Sequence, residues 1–375
     1  MEKIISRVFI LVIDSFGIGG AIDAKEYGDE GSDTYLSISE GIKVPNLVAL
    51  GINNIDGVLV LPKMKNPLGQ FARLTEKSMG KDTVTGHFEI AGLITKKPLP
   101  TFPNGFPTEI IEKLEKAFGR QIIGNCVASG TEIIAQMGDV STNEDKPIVY
   151  TSADSVLQIA ANEDKISIEE IYAMCEKARE IMSGEDFGVG RIIARPFRYG
   201  AKGYYRTANR RDYSLPPQAP TMLDRLKEKG FEVKGVGKIR DIFCGCGLTE
   251  HIESHSNRAG LEAVSIEIEK DFNGLVFVNL VDTDMIYGHR NDVPGYRKCV
   301  EEFDDYLNTI ISSLKDSDAL IITADHGCDP STPSTDHSRE DVPFLLYGKK
   351  IAPKNLGTIK GFDFIANLTE ELLTK

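Results

Sequence analysis

Short apolar runs alternate along the chain with longer stretches in which apolar residues recur every three or four positions. Arg7–Ile13, Phe231–Val236, Leu275–Val281, Ala319–Thr323 and Val342–Tyr347 are rich in Val, Ile, Leu and Phe without polar alternation. Such runs predict parallel strands covered on both faces. Tyr296–Leu314 sets Val300, Phe303, Leu307, Ile310, Ile311 and Leu314 at helical spacing, and Phe362–Leu373 is a second amphipathic helix. Strands alternating with helices argue for an α/β domain.

The middle of the chain reads differently. A proline-rich stretch at 98–107 and Ser-Leu-Pro-Pro-Gln-Ala-Pro at 214–220 read as connectors. Between them lie helical patterns over Thr108–Phe118 and Ser167–Met182, and strand-like runs at Gln121–Ile123, Ile148–Thr151 and Arg191–Ala194. The expected organisation is an inserted, smaller α+β cap domain over 100–216, of ordinary domain size. The core would then be discontinuous, built from 1–99 and 217–375, with a mainly parallel sheet flanked by helices.

Composition narrows the class. Of 375 residues, 41% are hydrophobic and 26% charged, which excludes a disordered chain and a disulfide scaffold. The formal charge of −13 disfavours nucleic acid and anionic membrane as main partners. The apolar run Val8–Ile13 is too short to span a bilayer and ends at Asp14. No cleavage-site pattern marks a secretory signal. Six scattered cysteines suit a reducing cytoplasm. Cys244-Gly-Cys246 lacks a second pair at zinc-ribbon spacing and reads as ordinary thiols.

Candidate chemistry gathers just past the strand ends, where open α/β sheets bind ligands. Asp14 ends the first strand; Asp284 and His289 follow the third run, and Asp325-His326 the fourth; His337 comes eleven residues after His326. Carboxylates and imidazoles are the ligands of a two-metal phosphoryl-transfer site. Lys81-Asp-Thr83-Val-Thr85-Gly-His87 reads as a helix start, with Thr83 or Thr85 as its N-cap. A hydroxyl there could also act as nucleophile, since a helix N-terminus favours an anionic phosphoryl group.

Four motifs in order, Val-Ile-Asp14-Ser-Phe-Gly-Ile-Gly, Gly-Lys-Asp-Thr83-Val-Thr-Gly-His-Phe-Glu, Asp284-Met-Ile-Tyr-Gly-His289-Arg-Asn-Asp and Thr-Ala-Asp325-His326-Gly-Cys-Asp-Pro, resemble the phosphopentomutase family of the alkaline phosphatase superfamily. The resemblance covers nearly the whole chain. It implies an alkaline-phosphatase-like core with a cap, interconverting ribose 1-phosphate and ribose 5-phosphate and their 2-deoxy counterparts. It further implies one metal on Asp284, His289 and His337, a second on Asp14, Asp325 and His326, and Thr83 as the phosphorylated residue. Two Mn2+ are the metals implied, with a sugar bisphosphate such as glucose 1,6-bisphosphate as primer. The family often has Trp where Phe88 stands, and this chain has no Trp.

The window 191–211 holds seven basic residues and no acid, a local reversal of sign in an acidic chain. There the resemblance assigns substrate phosphate binding to Arg191 and Arg206, a task that suits arginine's planar fork. It adds Ser152, Asp154 and Lys238 as substrate contacts. Arg198 and Lys202 read as solvated, and Arg195, Arg210 and Arg211 take no assigned role. The expected protein is a cytoplasmic monomer with a small sugar phosphate as its partner. A phosphohydrolase or phosphoglycerate-type mutase of the same superfamily is the alternative, distinguished by release of free phosphate or by its substrate.

Overall fold

The computed structural model describes residues 5–152, 155–184 and 187–375. They form two compact units, Met1–Lys97 with Ala219–Lys375, and Pro98–Gln218. Among the described residues no helix is long and apolar enough to cross a membrane.

The first unit is built on an eight-stranded sheet in the order Glu250–Ile252, Glu232–Val236, Gly274–Leu280, Arg7–Ile13, Asp318–Thr323, Val342–Tyr347, Gln70–Thr75, Lys354–Lys360. The three central strands are wholly buried. Neither face meets water, which is why their sequences run apolar without alternation. Their registers bring Ile13 beside Leu280 and Val12 beside Thr323, so all three end level on one edge of the sheet. At the opposite edge the one charge in the first strand, Arg7, is buried in a two-pronged pair with Asp318 at 2.8 and 2.7 Å.

Val342–Tyr347 runs antiparallel to both neighbours, against the parallel direction its composition predicts. The sheet is therefore mixed. A strand buried on both faces has the same composition whichever way it runs, so direction was not encoded locally. The helix Val293–Ser313 buries Val300, Phe303, Leu307 and Ile310. Its start is set by Asp292, whose side chain accepts from the Gly295 amide at 2.9 Å.

The second unit carries a five-stranded mixed sheet in the order Ile123–Val127, Ile148–Thr151, Val156–Ala160, Arg191–Ala194, Arg211–Ser214. Side chains alternate between two cores. Val149, Leu157 and Ile159 pack with the helices Thr108–Phe118 and Ile168–Ile181; Ile148, Tyr150 and Ala160 pack with the helix Gly130–Glu144. This is the period-two signature of a sheet covered on both sides. The strand expected at Gln121–Ile123 begins at Ile123 and continues to Val127.

Candidate metal centre

Because the central strands end level, the residues that follow them meet. Asp14 leaves Arg7–Ile13, Asp284 sits in the short π-helix Thr283–Tyr287 after Gly274–Leu280, and Asp325 and His326 follow Asp318–Thr323. Asp14 and Asp325 are fully buried, and His326 and Asp284 nearly so. His326 Nε2 lies 3.4 Å from both Asp14 Oδ1 and Asp325 Oδ2. Asp284 lies 3.3 Å from Nε2 of His289 and, through its other oxygen, 3.3 Å from Nε2 of His337. The His326 and His337 rings stack at 4.0 Å, joining the two groups. Five of these six residues fall in two compact sets, Asp14–Asp325–His326 and Asp284–His326–His337; His289 joins Asp284 in a third, with Cys328.

Several features fit this centre to divalent cations. Asp14 Oδ1, Asp284 Oδ1 and Asp325 Oδ2 are buried and face histidine ring nitrogens, the nearest at 3.4, 3.3 and 3.1 Å respectively. His289 Nδ1 donates to the Thr335 carbonyl at 2.6 Å, and His326 Nδ1 to that of Gly327 at 3.0 Å, which turns the Nε2 of each ring toward the carboxylates. Nε2 of His289 and His337 stand only 3.1 Å apart. Buried carboxylate oxygens and converging imidazole nitrogens are a donor set for a transition metal.

The electrostatics agree. Burial, reinforced by the Asp325 charge, pushes Asp14 above the usual carboxylate range. Burial works the same way on Asp325, yet His326 and His87 hold it down to about 2. Against burial, hydrogen bonds from His289 and His337 hold Asp284 far below the usual range. His326 is raised well above an ordinary imidazole, since Asp325 and Asp14 outweigh its burial. The same concentrated negative charge is available to a cation.

Thr83 is the first residue of the helix Thr83–Ile90. Its Oγ1 lies 3.1 Å from His326 Nε2. The N-cap is neither threonine but Asp82, whose Oδ1 accepts from the amides of Val84 and Thr85 at 3.0 and 3.1 Å. The Thr85 hydroxyl donates to Asp82 Oδ2 at 2.6 Å, so it is committed to the cap. Gly86 lets this helix lie against the loop that carries Asp325: a Cβ there would stand 2.8 Å from the Asp325 carbonyl carbon and closer still to its oxygen.

Three supporting residues escaped the sequence reading. His87 Nδ1 lies 2.9 Å from the Thr83 carbonyl and 3.1 Å from Asp325 Oδ2, tying the helix to the loop that carries Asp325. Its signal was available, since positions four apart share a helix face. Asn279 donates to Asp14 Oδ2 at 2.9 Å. Glu340 accepts from the Gly19 amide, the Thr34 amide and hydroxyl, and Ser338 Oγ, pinning the loop after Asp14. Neither residue carries a local pattern that foretells this. Phe88 packs on Phe243, with ring centroids 5.5 Å apart. Cys244 and Cys246 join no cluster of three potential ligands among the described residues.

Of the residues assigned to substrate, Lys238 stands past Glu232–Val236 as N-cap of Ile239–Ile242. Ser152 follows Ile148–Thr151, and Asp154 lies outside the described residues. In the second unit Arg191 is exposed, 3.8 Å from Asp212, and Arg206 Nη2 donates to Thr131 Oγ1 at 3.2 Å. The basic window is thus partly answered by Asp212, one residue beyond its end, which also chelates Arg210. Arg198 is not simply solvated, since it pairs with Glu163 at 2.7 Å. Arg211 stacks over Tyr172 and Tyr213.

The model of the metalloenzyme superfamily matches residues 6–373, and the chain belongs to that class of metal-dependent enzymes. Within it, the chain is a member of the phosphopentomutase family. It is 51% identical to the phosphopentomutase of Acetivibrio thermocellus over 98% of this chain and 95% of that protein. It is 52% identical to that of Carboxydothermus hydrogenoformans over the same shares. Among solved structures, a phosphoglycerate mutase from Leishmania mexicana shares the fold at TM-score 0.53 and 12% identity, covering 100% of this chain and 96% of that one. The PH0037 protein from Pyrococcus horikoshii does so at TM-score 0.52 and 14% identity, covering 99% and 98%.

Proposed function

We propose that this phosphopentomutase interconverts ribose 1-phosphate and ribose 5-phosphate, and the 2-deoxy pair, by passing a phosphoryl group through Thr83. The observation that carries the reading is the placement of the Thr83 hydroxyl 3.1 Å from His326 Nε2, at a helix N-terminus, while Thr85 is committed to Asp82. Asp284, His289 and His337 would hold one divalent ion, and Asp14, Asp325 and His326 the other. When bound, the ions neutralise the transferring phosphoryl group and favour ionisation of the threonine hydroxyl. Manganese is the proposed metal, and a sugar bisphosphate such as glucose 1,6-bisphosphate the primer.

Phosphorylated Thr83 gives its phosphoryl group to the free hydroxyl of the bound pentose monophosphate. The bond to Thr83 Oγ1 breaks, the bond to the sugar oxygen forms, and the sugar's proton ends on Thr83. The bisphosphate then returns its other phosphoryl group to Thr83 Oγ1: that sugar oxygen–phosphorus bond breaks, the bond to Oγ1 forms, and the Thr83 proton passes to the freed sugar oxygen. The positive end of the Thr83–Ile90 dipole favours the anion during both transfers, while the Val84 and Thr85 amides stay bonded to Asp82. His87, bonded to the Thr83 carbonyl and Asp325, keeps the nucleophile in register with the loop that carries Asp325. Arg191, Arg206, Ser152, Asp154 and Lys238 are the proposed substrate contacts. Free thiols throughout the described residues agree with a cytoplasmic setting, where the protein is proposed to act as a monomer.

Thr83→Ala tests the assignment. Turnover should fall by at least three orders of magnitude while the ions remain bound, and the phosphopeptide recovered from primed wild type should carry its phosphate on Thr83. A phosphopeptide mapped to Thr85, or near-normal turnover by Thr83→Ala, would reject it.

A further inference from the structure

Ser15 follows Asp14 directly, where the chain turns away from the first strand. The Phe16 amide donates to the Ile13 carbonyl at 3.1 Å, closing a four-residue turn with Asp14 and Ser15 at its centre. Ser15 stands at φ 68°, a left-handed backbone that such a turn ordinarily fills with glycine. A serine there is strained and persists only where its surroundings hold it. Here it is wholly buried.

Three groups from distant parts of the chain hold this turn. Thr283 Oγ1 donates to the Asp14 carbonyl at 2.6 Å. The Ser15 amide donates to Asp325 Oδ1 at 3.0 Å. Ser15 Oγ lies 3.0 Å from the hydroxyl of Tyr296, which is wholly buried in the first turn of the helix Val293–Ser313. Burial keeps that phenol protonated, so the hydroxyl pair persists at any ordinary pH. Ser15 is thus joined to Asp14 through a peptide bond and to Asp325 through a hydrogen bond. The second of these occupies Oδ1 of Asp325 and leaves Oδ2 beside His326 Nε2, at 3.4 Å. Were Ser15 to relax out of the left-handed region, its amide would swing off Oδ1 and Asp14 would turn with it. Of the three ties, only that to Tyr296 acts on the Ser15 side chain, and a glycine would not need it.

We propose that Ser15 and Tyr296 are positioning residues, whose hydroxyl pair holds the strained turn that aims Asp14 and Asp325 at one ion. The inference rests on the reading of Asp14 and Asp325 as ligands. Both hydroxyls act through those carboxylates, and groups that orient metal ligands in this way carry about 10- to 100-fold in affinity. Glycine at position 15 takes the left-handed backbone with no tie. Alanine meets the same strain as serine and has no hydroxyl to hold it there. A side chain that merely filled space would not separate these two substitutions.

The test is a Mn2+ titration of the full-length protein, with free Mn2+ counted by electron paramagnetic resonance, so that no turnover is needed. Wild type should bind two ions. In Tyr296→Phe, which keeps the ring and removes one oxygen, one of the two sites should weaken by about tenfold or more while the other stays within about threefold. Ser15→Ala should weaken the same site from the other side of the pair. Adding Ser15→Gly to Tyr296→Phe should bring that site back to within about threefold of wild type, because the turn then needs no tie. Wild-type affinity at both sites in Tyr296→Phe would overturn the proposal. So would a double variant as weak as Tyr296→Phe alone, which would place the loss in the packing of the helix rather than in the turn. A wild type that binds fewer than two ions would reject the ligand reading, and the proposal with it.

Discussion

Gly86→Ala is a one-carbon change that separates positioning from stability. The added Cβ would stand 2.8 Å from the Asp325 carbonyl carbon, 2.9 Å from the Asp325 Cβ and closer than either to the carbonyl oxygen. Carbon–oxygen contacts normally begin near ~3.3 Å, so the helix Thr83–Ile90 must retreat by about 1 Å. The backbone of Asp325 cannot yield instead, because its carboxylate is held by the Ser15 amide at 3.0 Å and by His87. A retreat of that size carries Thr83 away from His326. Misplacement by about 1 Å costs roughly 100-fold in rate, or about 2.7 kcal/mol of barrier. Stability responds less. Alanine gains about 0.8–1.0 kcal/mol of helix propensity over glycine, which offsets part of an overpacking cost of about 1–3 kcal/mol. The assay is the initial rate of pentose phosphate isomerisation alongside chemical denaturation. A fall of about two orders of magnitude in kcat with less than about 2 kcal/mol lost in stability is expected. A variant within threefold of wild type in kcat would refute the claim that this contact sets the nucleophile's position.

Other perturbations test separate parts of the account. Stripping the ions with a chelator should lower the denaturation free energy by about 4 kcal/mol for each site that was filled at a thousand times its Kd, with reversal on adding Mn2+. Arg206→Ala should lower kcat/KM by about one to two orders of magnitude through loss of a charge-assisted contact of ~1.5–3 kcal/mol, with both ions still bound; an unchanged kcat/KM would make it a surface residue. Arg7→Met should cost about 3–5 kcal/mol by leaving Asp318 buried and unpaired, whereas the double change Arg7→Met, Asp318→Leu should recover much of that loss. Burial pushes Glu340 up to about 7, so the folded chain holds its proton more tightly than the unfolded one. Its contribution to stability is therefore full below an ordinary glutamate value and declines as pH rises toward 7; denaturation of wild type against Glu340→Gln at pH 5 and pH 8 should show a pH-dependent difference, and parallel curves would reject it.

Burial on both faces made the central strands readable, because Arg7–Ile13 and Gly274–Leu280 had no polar face to disguise them. The strands that went unread carry polar residues for reasons set elsewhere in the fold. Gln70–Thr75 is interrupted by Arg73, whose guanidinium answers Asp341 at 3.0 Å. Lys354–Lys360 lies at the sheet's edge, where lysines and a glycine suit an exposed strand. Metal-type residues were legible because carboxylates and histidines crowd the ends of apolar runs, and level registers bring them together. Which threonine caps the helix was not legible. Asp82, Thr83 and Thr85 are all good caps, and only the direction of each side chain assigns Asp82 to the amides and Thr85 to Asp82. Glu340 and Cys328 take their surroundings from contacts hundreds of residues away in the chain, with Thr34 touching both.

The central claim is that phosphoryl passes between two positions of one pentose without being lost to water. Phosphorus NMR of ribose 1-phosphate, incubated with the manganese-loaded protein and a catalytic amount of glucose 1,6-bisphosphate, reads substrate, product and free phosphate in one sample. The expected spectrum converts ribose 1-phosphate to ribose 5-phosphate with almost no inorganic phosphate, and loses that conversion in Thr83→Ala. Inorganic phosphate growing in step with the loss of ribose 1-phosphate, with no ribose 5-phosphate, would mean that the site hydrolyses its substrate.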